Sequence, residues 1–524
     1  MNQTGIHAMR RKCPTQTIYA ACLAILLPLV CSTACQQAGG EAKGDAAPFQ
    51  PKGEVWEAWY MQGAKVGYAK TVTREVTEKG RKLVAIDSLT HLEIVRQGQR
   101  NRQEISAGTT ETPEGELVGF TTRTELGAVP VVTTGRVVGR ELVIETVVGG
   151  KMQVARLPWS ADIRGFLGDE QSLAAKPMRP GERRKLRMLL PILNQISDVE
   201  LAARDYESTK LLDGSRKLLR IDHTATLGTA EGNETRIEST LWTDEAGQKL
   251  KSRTEAMRQE SYRTSREVAM AEPDSLKYDL VIDAVVTPDR PIKRPHATRR
   301  VLYSVQLEGA DPRKSFSSGG TQSVKSTGPE TAEIEVRAIR ISDSLDRQAP
   351  GRPPGSEYLD SSDLVTSDDA AVIKMAAEAT RGVEGKARVA LALEQYVHRT
   401  ITKKNFSQAL ATAADVAKSR EGDCTEHAVL LAALGRAVKI PSQVAIGLVY
   451  VEGLGGFGYH MWTEMFIGGS WIPLDATLGQ GGTGAAHLKL SDSSLKSSSA
   501  YSSFLPVAQV LGRLKIKVLE VEHF

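Results

Sequence analysis

Between Val55 and about Ala271, apolar and polar residues alternate in short runs separated by turn residues. Glu54–Tyr60 before Gly63, Lys82–Val95, Leu117–Leu126 and Arg136–Val148 follow this rule, and two longer runs meet at Asp213-Gly214. Leu241-Trp242-Thr243, the turn at 244–247 and Leu250 read as a further hairpin. A period of two puts alternate side chains on one face, so these runs predict a large antiparallel sheet. Segments near 159–175 and 188–205 predict one or two helices interrupting it. Trp56, Trp59 and Trp242 are assigned to the core of that sheet.

A second β-rich stretch, 299–341, holds Arg300–Leu307 and Thr331–Ile339 with a Gly/Ser loop around Ser317–Gly320. Beyond the breaker-rich Gln348–Ser356 the period changes. Ala370–Thr380, Gly385–Thr400 and Cys424–Val438 carry a helical period, strands follow from Gln443, and Leu514–Val521 alternates like a closing strand. The Ser-rich segment 491–503 reads as a mobile loop. The expected fold class is α+β: a leader (1–35), a flexible tether (36–52), an antiparallel β-rich domain (53–285), a small β-rich segment (286–346), a linker (347–356) and a C-terminal domain (357–524).

With 524 residues, 41% apolar and 25% charged, the chain has the balance of a multidomain globular body, which argues against disorder and against a polytopic membrane protein. In the leader, Arg10-Arg11-Lys12 precede an apolar stretch from Ile18 to Val30 and then Ser32-Thr33-Ala34-Cys35, the pattern of a secretory signal, with Met9 as an alternative start. Cys35 after small residues resembles a bacterial lipoprotein signal, although Ser32 stands where that family usually has Leu. A lipidated Cys35 would anchor the protein in the cell envelope; ordinary cleavage near Ala34 would release it into the periplasm or outside the cell. The three bases of the leader account for most of the formal charge of +4 and leave +1 without it, so no large basic field supports nucleic-acid binding. Cys13, Cys22 and Cys31 would leave with the leader. If Cys35 is lipidated, Cys424 is a solitary thiol in an oxidising compartment, and its retention calls for a function.

Gly422-Asp423 breaks the chain just before the apolar run Ala428, Leu431, Ala432 and Leu434, which places Cys424 at a helix N-terminus. The macrodipole and free N–H groups there favour a thiolate and can receive an oxyanion. Gly468-Gly469 separates the strand-like runs Tyr459–Ile467 and Ser470–Ala476. A hairpin centred on that pair sets Ile467 opposite Ser470 and brings His460 and Asp475 to one face as diagonal neighbours; a turn shifted by one residue would separate them. An imidazole beside Cys424 would take its proton, and a carboxylate would orient the imidazole.

The segment from about 370 to 490 resembles the transglutaminase-like superfamily, with its papain-like fold. The resemblance rests on Gly422-Asp423-Cys424, Leu430-Leu431, Ala433-Leu434-Gly435-Arg436-Ala437, Ile440-Pro441, His460 and Trp462 followed by Glu464, and Trp471 with Leu474-Asp475-Ala476-Thr477. It implies Cys424 as nucleophile, His460 as base and acid, and Asp475 as orienting acid. Ser442-Gln443 departs from the Ala-Arg of many members. The second oxyanion donor would come from a side chain upstream of the nucleophile, with Asn405 as candidate. Trp462 would wall the cleft, His487 would border it or lie apart, and His427 would be a packing residue.

The implied activity is acyl transfer through a thioester on amide bonds of a peptide or envelope protein, with hydrolysis favoured over cross-linking. No cofactor is expected, and no metal: Asp423, Cys424 and His427 lack a fourth ligand and zinc spacing. The alternatives are a non-catalytic envelope scaffold with a vestigial triad, and a carrier binding a lipid or cell-wall ligand on the β-domain. The oligomeric state is not legible.

Overall fold

The computed structural model describes residues 53–524, apart from 97, 126–129, 191, 229–233, 256–257, 275–278, 280–283, 343, 348–350, 407–409 and 497–503. The leader, Cys35, the tether and most of the Ser-rich segment therefore lie outside the described residues.

Fifteen strands between Gly53 and Thr264, numbered β1–β15 in chain order, form one sheet. The first eight make one meander and the last seven another, and the two join where β1 (Gly53–Met61) pairs with β15 (Gln259–Thr264). All neighbours are antiparallel except at one edge, where Ile163-Arg164 runs parallel to Arg187-Met188. The sheet curls, because Leu117, Phe120, Leu142 and Ile144 from the first meander share a core with Ile163, Phe166 and Leu189 from the second. Trp56, Trp59 and Trp242 are buried, Trp59 completely.

Two sequence expectations change here. Arg136–Val148 spans two strands, Val131–Val138 and Glu141–Val148, reversed at Gly139, whose φ of +62° suits a glycine. The segment 188–205 lies in two strands, Arg183–Leu190 and Gln195–Leu211, with Ile192 and Asn194 in left-handed conformation between them. The dense apolar cluster there is the buried side of a hairpin; in a short apolar run a strand and a helix look alike. A helix, α1 (Gly168–Ala175), does occupy the first predicted interval.

The small sheet orders β17 (Gln322–Gly328), β18 (Thr331–Arg337), β16 (Thr298–Leu307) and β23 (Leu514–His523). The closing strand thus pairs with β16, and the segment 286–346 belongs to one packed unit with the C-terminal chain. That unit carries the helices α3 (Ala370–Ala379), α4 (Lys386–Thr400), α5 (Ala413–Ser419) and α6 (Cys424–Ala437), after a short α2 (Arg266–Met270). A four-stranded antiparallel sheet, ordered β21 (Ser470–Leu474), β20 (Gly456–Ile467), β19 (Ser442–Val451) and β22 (His487–Ser493), lies against α6.

One continuous apolar core joins the two halves. Trp59, Met61, Leu92, Ile94 and Ile105 of the large sheet belong to the same cluster as Val301 and Tyr303 of the small sheet and Leu430, Leu431 and Leu434 of α6. No helix among the described residues is long and apolar enough to cross a membrane.

Helix α6 is buried along nearly its whole length, so its small residues set how closely it approaches the sheet. A Cβ on Gly435 would run into Ser442 Oγ and lie 2.8 Å from Met465 Cε. Alanine is the better helix former by about 1 kcal/mol, yet overpacking a filled core costs about 1–3 kcal/mol. Gly435→Ala is therefore expected to lower the urea midpoint, and a midpoint at or above wild type would show that the helix can back away from the sheet.

Candidate active site

The N-terminus of α6 is closed by reciprocal caps. Asp423 Oδ1 accepts from Thr425 N at 3.0 Å and from its hydroxyl at 2.6 Å, while Glu426 Oε2 accepts from Asp423 N at 2.9 Å. Gly422 sits at φ +150°, where a Cβ would strike the Glu426 side chain. The break therefore requires glycine, and it delivers Cys424 as the first residue of the helix, fully buried.

His460 stands in β20 opposite Gly447 of β19. A Cβ at Gly447 would meet the Leu488 carbonyl and the Trp462 ring, so glycine lets the strands close around the imidazole. Thr463 Oγ1 donates to the Ala428 carbonyl at 2.9 Å and pins this strand to α6. The turn falls at Gly468-Gly469, with φ of +58° and +78°, and Ile467 faces Ser470 in the predicted register. Pairing ends at Leu474, and Asp475 then brings Oδ2 to 2.8 Å from His460 Nε2.

That bond occupies Nε2, and Cys424 acts on the same imidazole. Burial alone would lower the proton affinity of His460, but the charge of Asp475 and the charge and hydrogen bond of Cys424 outweigh it and raise its pKa to about 10. Burial likewise pushes the Asp475 carboxyl up, yet the His460 charge and the hydrogen bonds of both imidazoles hold it well below the usual range. These charges favour a protonated His460 between the Asp475 carboxylate and Cys424.

His487 also reaches this carboxylate, with Nε2 3.2 Å from Asp475 Oδ2, and burial pushes its pKa down, so it serves as a neutral donor. The donor atoms of His460, Asp475 and His487 lie within 4.8 Å of one another. Hydrogen bonds through the one carboxylate oxygen account for that closeness, and we assign no metal to it. Trp462 stacks on His460 at 6.3 Å between ring centres and meets His487 edge-on at 5.3 Å, forming the wall behind both rings. Asn405 is half-buried and gives its amide N–H to Glu421 at 3.3 Å. His427 bonds the Asp423 carbonyl through Nδ1, and burial with the nearby Lys404 charge lowers its pKa to about 3, which leaves it neutral. Gln443 donates to Glu464 at 2.8 Å, and Lys489 adds an ion pair to the same carboxylate at 3.1 Å.

Three contributors escape sequence reasoning. Glu394 of α4 accepts from Asp475 N at 3.1 Å, Gly481 N at 2.6 Å and Gly482 N at 3.4 Å, fixing the loop behind the orienting acid. Lys404 donates to His427 Nε2 at 3.3 Å and brings a cation toward Cys424. Arg96, from the large sheet, pairs with Asp423 at 2.6 Å. Only Glu394 had a local signal, a lone acid on the apolar face of a helix.

Residues 373–476 match the model of the transglutaminase-like superfamily. No curated protein matches. Among solved structures, a candidate cysteine protease from Cytophaga hutchinsonii is 17% identical, covering 43% of this chain and 86% of that one, at a TM-score of 0.28. A β-barrel-like protein of a domain family of unknown function from Brucella abortus is 9% identical over 40% of this chain and 94% of its own, also at 0.28. The periplasmic domain of TgpA from Pseudomonas aeruginosa, bound to ethylmercury, is 14% identical over 35% and 92%, at 0.20.

Two measurements follow from these charges. An ion-paired Cys424 should react with iodoacetamide rapidly at pH 6, well below the free-thiol value of about 8.5, and His460→Ala should abolish the low-pH rate; the readout is mass spectrometry of the Cys424 peptide. Burial, with the Asp475 charge, raises the Glu394 carboxyl to about 7 against its backbone donors. The folded state then holds a proton that the unfolded state has lost, so Glu394's contribution to stability falls as pH rises from about 4.3 toward the raised value. The urea midpoint of wild type should therefore fall relative to that of Glu394→Gln, which cannot ionise, as pH rises from about 5 to 8, and a gap independent of pH would count against a raised carboxyl.

Proposed function

From a transglutaminase-like domain whose Cys, His and Asp share one buried cluster, we propose that this protein is an exported cysteine enzyme cleaving amide bonds of a peptide or envelope protein through a thioester. The Cys424 thiolate adds to the carbonyl carbon, and the N–H groups opening α6 receive the oxyanion. As the tetrahedral adduct collapses, the C–N bond breaks and His460 gives its proton to the departing amine. Neutral His460, held by Asp475, then takes a proton from water as it attacks the thioester, which releases the acid and regenerates the thiol. A primary amine in place of water would give cross-linking; hydrolysis is preferred because no amine channel is marked. Lipidation of Cys35 would hold the reaction at the envelope.

The observation that carries this reading is the bond from His460 Nε2 to Asp475 at 2.8 Å, with Cys424 acting on the same imidazole. A second reading rests on burial: Cys424 and His460 are 0% exposed and Asp475 1%, as in a scaffold whose triad never meets a substrate. The deciding experiment incubates the purified chain with envelope peptides and proteins and follows acyl adducts on Cys424 by intact mass. The enzyme reading expects an adduct that water discharges, no turnover by Cys424→Ala, and a loss of about 10²–10⁴-fold in His460→Ala. Undiminished ligand binding with no adduct on any substrate would favour the scaffold.

A further inference from the structure

We propose that Arg96, on the N-terminal sheet, is a positioning residue of this centre: its guanidinium neutralises Asp423 and fixes the end of the helix from which Cys424 projects. The proposal rests on the reading of Cys424 as nucleophile. It makes the large sheet part of the catalytic machinery rather than a separate appendage.

Arg96 ends β3 (Arg81–Arg96), just before the turn into β4 (Gln99–Glu111). Its Nη2 lies 2.6 Å from Asp423 Oδ2, and both side chains are 0% exposed, although 327 positions separate them in sequence. The hairpin is held at this place by several contacts. Val95 bridges to Asp279, and Gly98 N donates to Asp279 Oδ2 at 2.9 Å. Gln99 Oε1 accepts from Phe406 N at 3.0 Å, and the Arg96 guanidinium lies 6.0 Å from the centre of the Phe406 ring. Leu92 and Ile94 of the same strand enter the core that also holds Cys424 and Leu430.

The charge balance explains why such a residue is needed. Asp423 and Glu426 are two buried acids one turn apart at the helix end. Burial, with the Asp423 charge beside it, drives Glu426 well above the carboxylate range, so it is held protonated. Asp423 is pushed up by burial; the Arg96 charge is the largest influence against this, Cys424 adds to the rise, and hydrogen bonds from Glu426 and Thr425 oppose it further. Without Arg96, an unpaired buried carboxylate would sit one residue from the sulfur and disfavour its ionisation. Among the described residues, the other groups that act on Cys424 are His427 on its own helix, Lys404 from the segment after α4 and His460 from β20; Glu426 acts through Asp423, Asp475 after β21 through His460, and His487 of β22 through Asp475.

The test is a charge cycle in the full-length chain carrying His460→Ala, where Cys424 titrates without its imidazole. Thiolate absorbance in the ultraviolet is followed against pH, as the difference between each variant and its Cys424→Ser counterpart. Arg96→Gln should raise the Cys424 midpoint by about one unit, Asp423→Asn should lower it, and the double variant should return it toward the parent. A purely structural role would not move the two single variants in opposite directions. Unchanged midpoints in folded single variants, or shifts of the same sign, would overturn the proposal. If Arg96→Gln does not fold, Asp423→Asn still decides: an unchanged or raised midpoint refutes the charge role, and a lowered one supports it. The nucleophile reading itself fails separately, if the chain with His460 intact shows no low-pH reactivity at Cys424.

Discussion

Asp475 is a carboxylate buried away from the protein surface, its proton affinity held well below the usual range, and the site is arranged around that constraint. A buried ion must find its solvation in the protein or give up its charge. Asp475 finds it in His460 and His487 at Oδ2 and in the Thr477 N–H at Oδ1, 2.9 Å away. Glu394 holds the backbone that presents it, and the raised proton affinity of that acid keeps a second full charge from developing beside the first. The strength of His460 as a proton carrier is a consequence of this arrangement: without Asp475 anchored and ionised, burial would leave the imidazole neutral.

The same problem is solved again at the other end of the pair. The helix N-terminus offers partial positive charge to the sulfur, but its caps, Asp423 and Glu426, bring two acids into the same dry space. One is neutralised by protonation and one by Arg96. The thiol and the imidazole therefore lie between two carboxylate sites, each compensated from a different part of the chain. A transglutaminase-like segment of about a hundred residues holds Cys424, His460 and Asp475, while one of the counter-charges comes from a strand that ends more than three hundred positions earlier.

This division explains what could be read in the sequence. The nucleophile helix and the His–Asp hairpin are local: Gly422-Asp423 announces the helix start, and Gly468-Gly469 fixes a register that fails if shifted by one residue. The alternating runs announced the sheet for the same reason. Arg96 carried no such signal, because an arginine at the end of an alternating strand is ordinarily a solvated residue, and only the tertiary fold aims it at Asp423. Lys404 beside Asn405 was hidden likewise, since the two differ in which way they face and periodicity is silent in an irregular segment. The strands within 188–205 were misread because their apolar residues cluster at a tight reversal, where neither period has room to develop.

On the proposed reading an amide substrate must reach a sulfur that is fully buried. The parts around the site differ greatly in what displacing them would cost. Withdrawing Arg96 strands a carboxylate, and shifting the β20–β21 hairpin breaks the bond to Asp475 together with a sheet register. The segment after α4 is tied less firmly. Thr402 and Lys403 are exposed, Lys404 and Asn405 are half-buried, and surface bonds of Lys403 and Asn405 to Glu421 secure it. Surface ion pairs of this kind contribute about 0–1 kcal/mol each, against several for a buried pair left incomplete. Its deeper ties are Phe406, which is buried and bonds Gln99, and the Lys404 contact to His427. Because Phe406 and Gln99 also hold the hairpin that carries Arg96, Lys404 acts on Cys424, and Gly422 N bonds the Lys403 carbonyl at 3.1 Å, displacing this segment would disturb the compensation of Asp423 as well as the rim of the site.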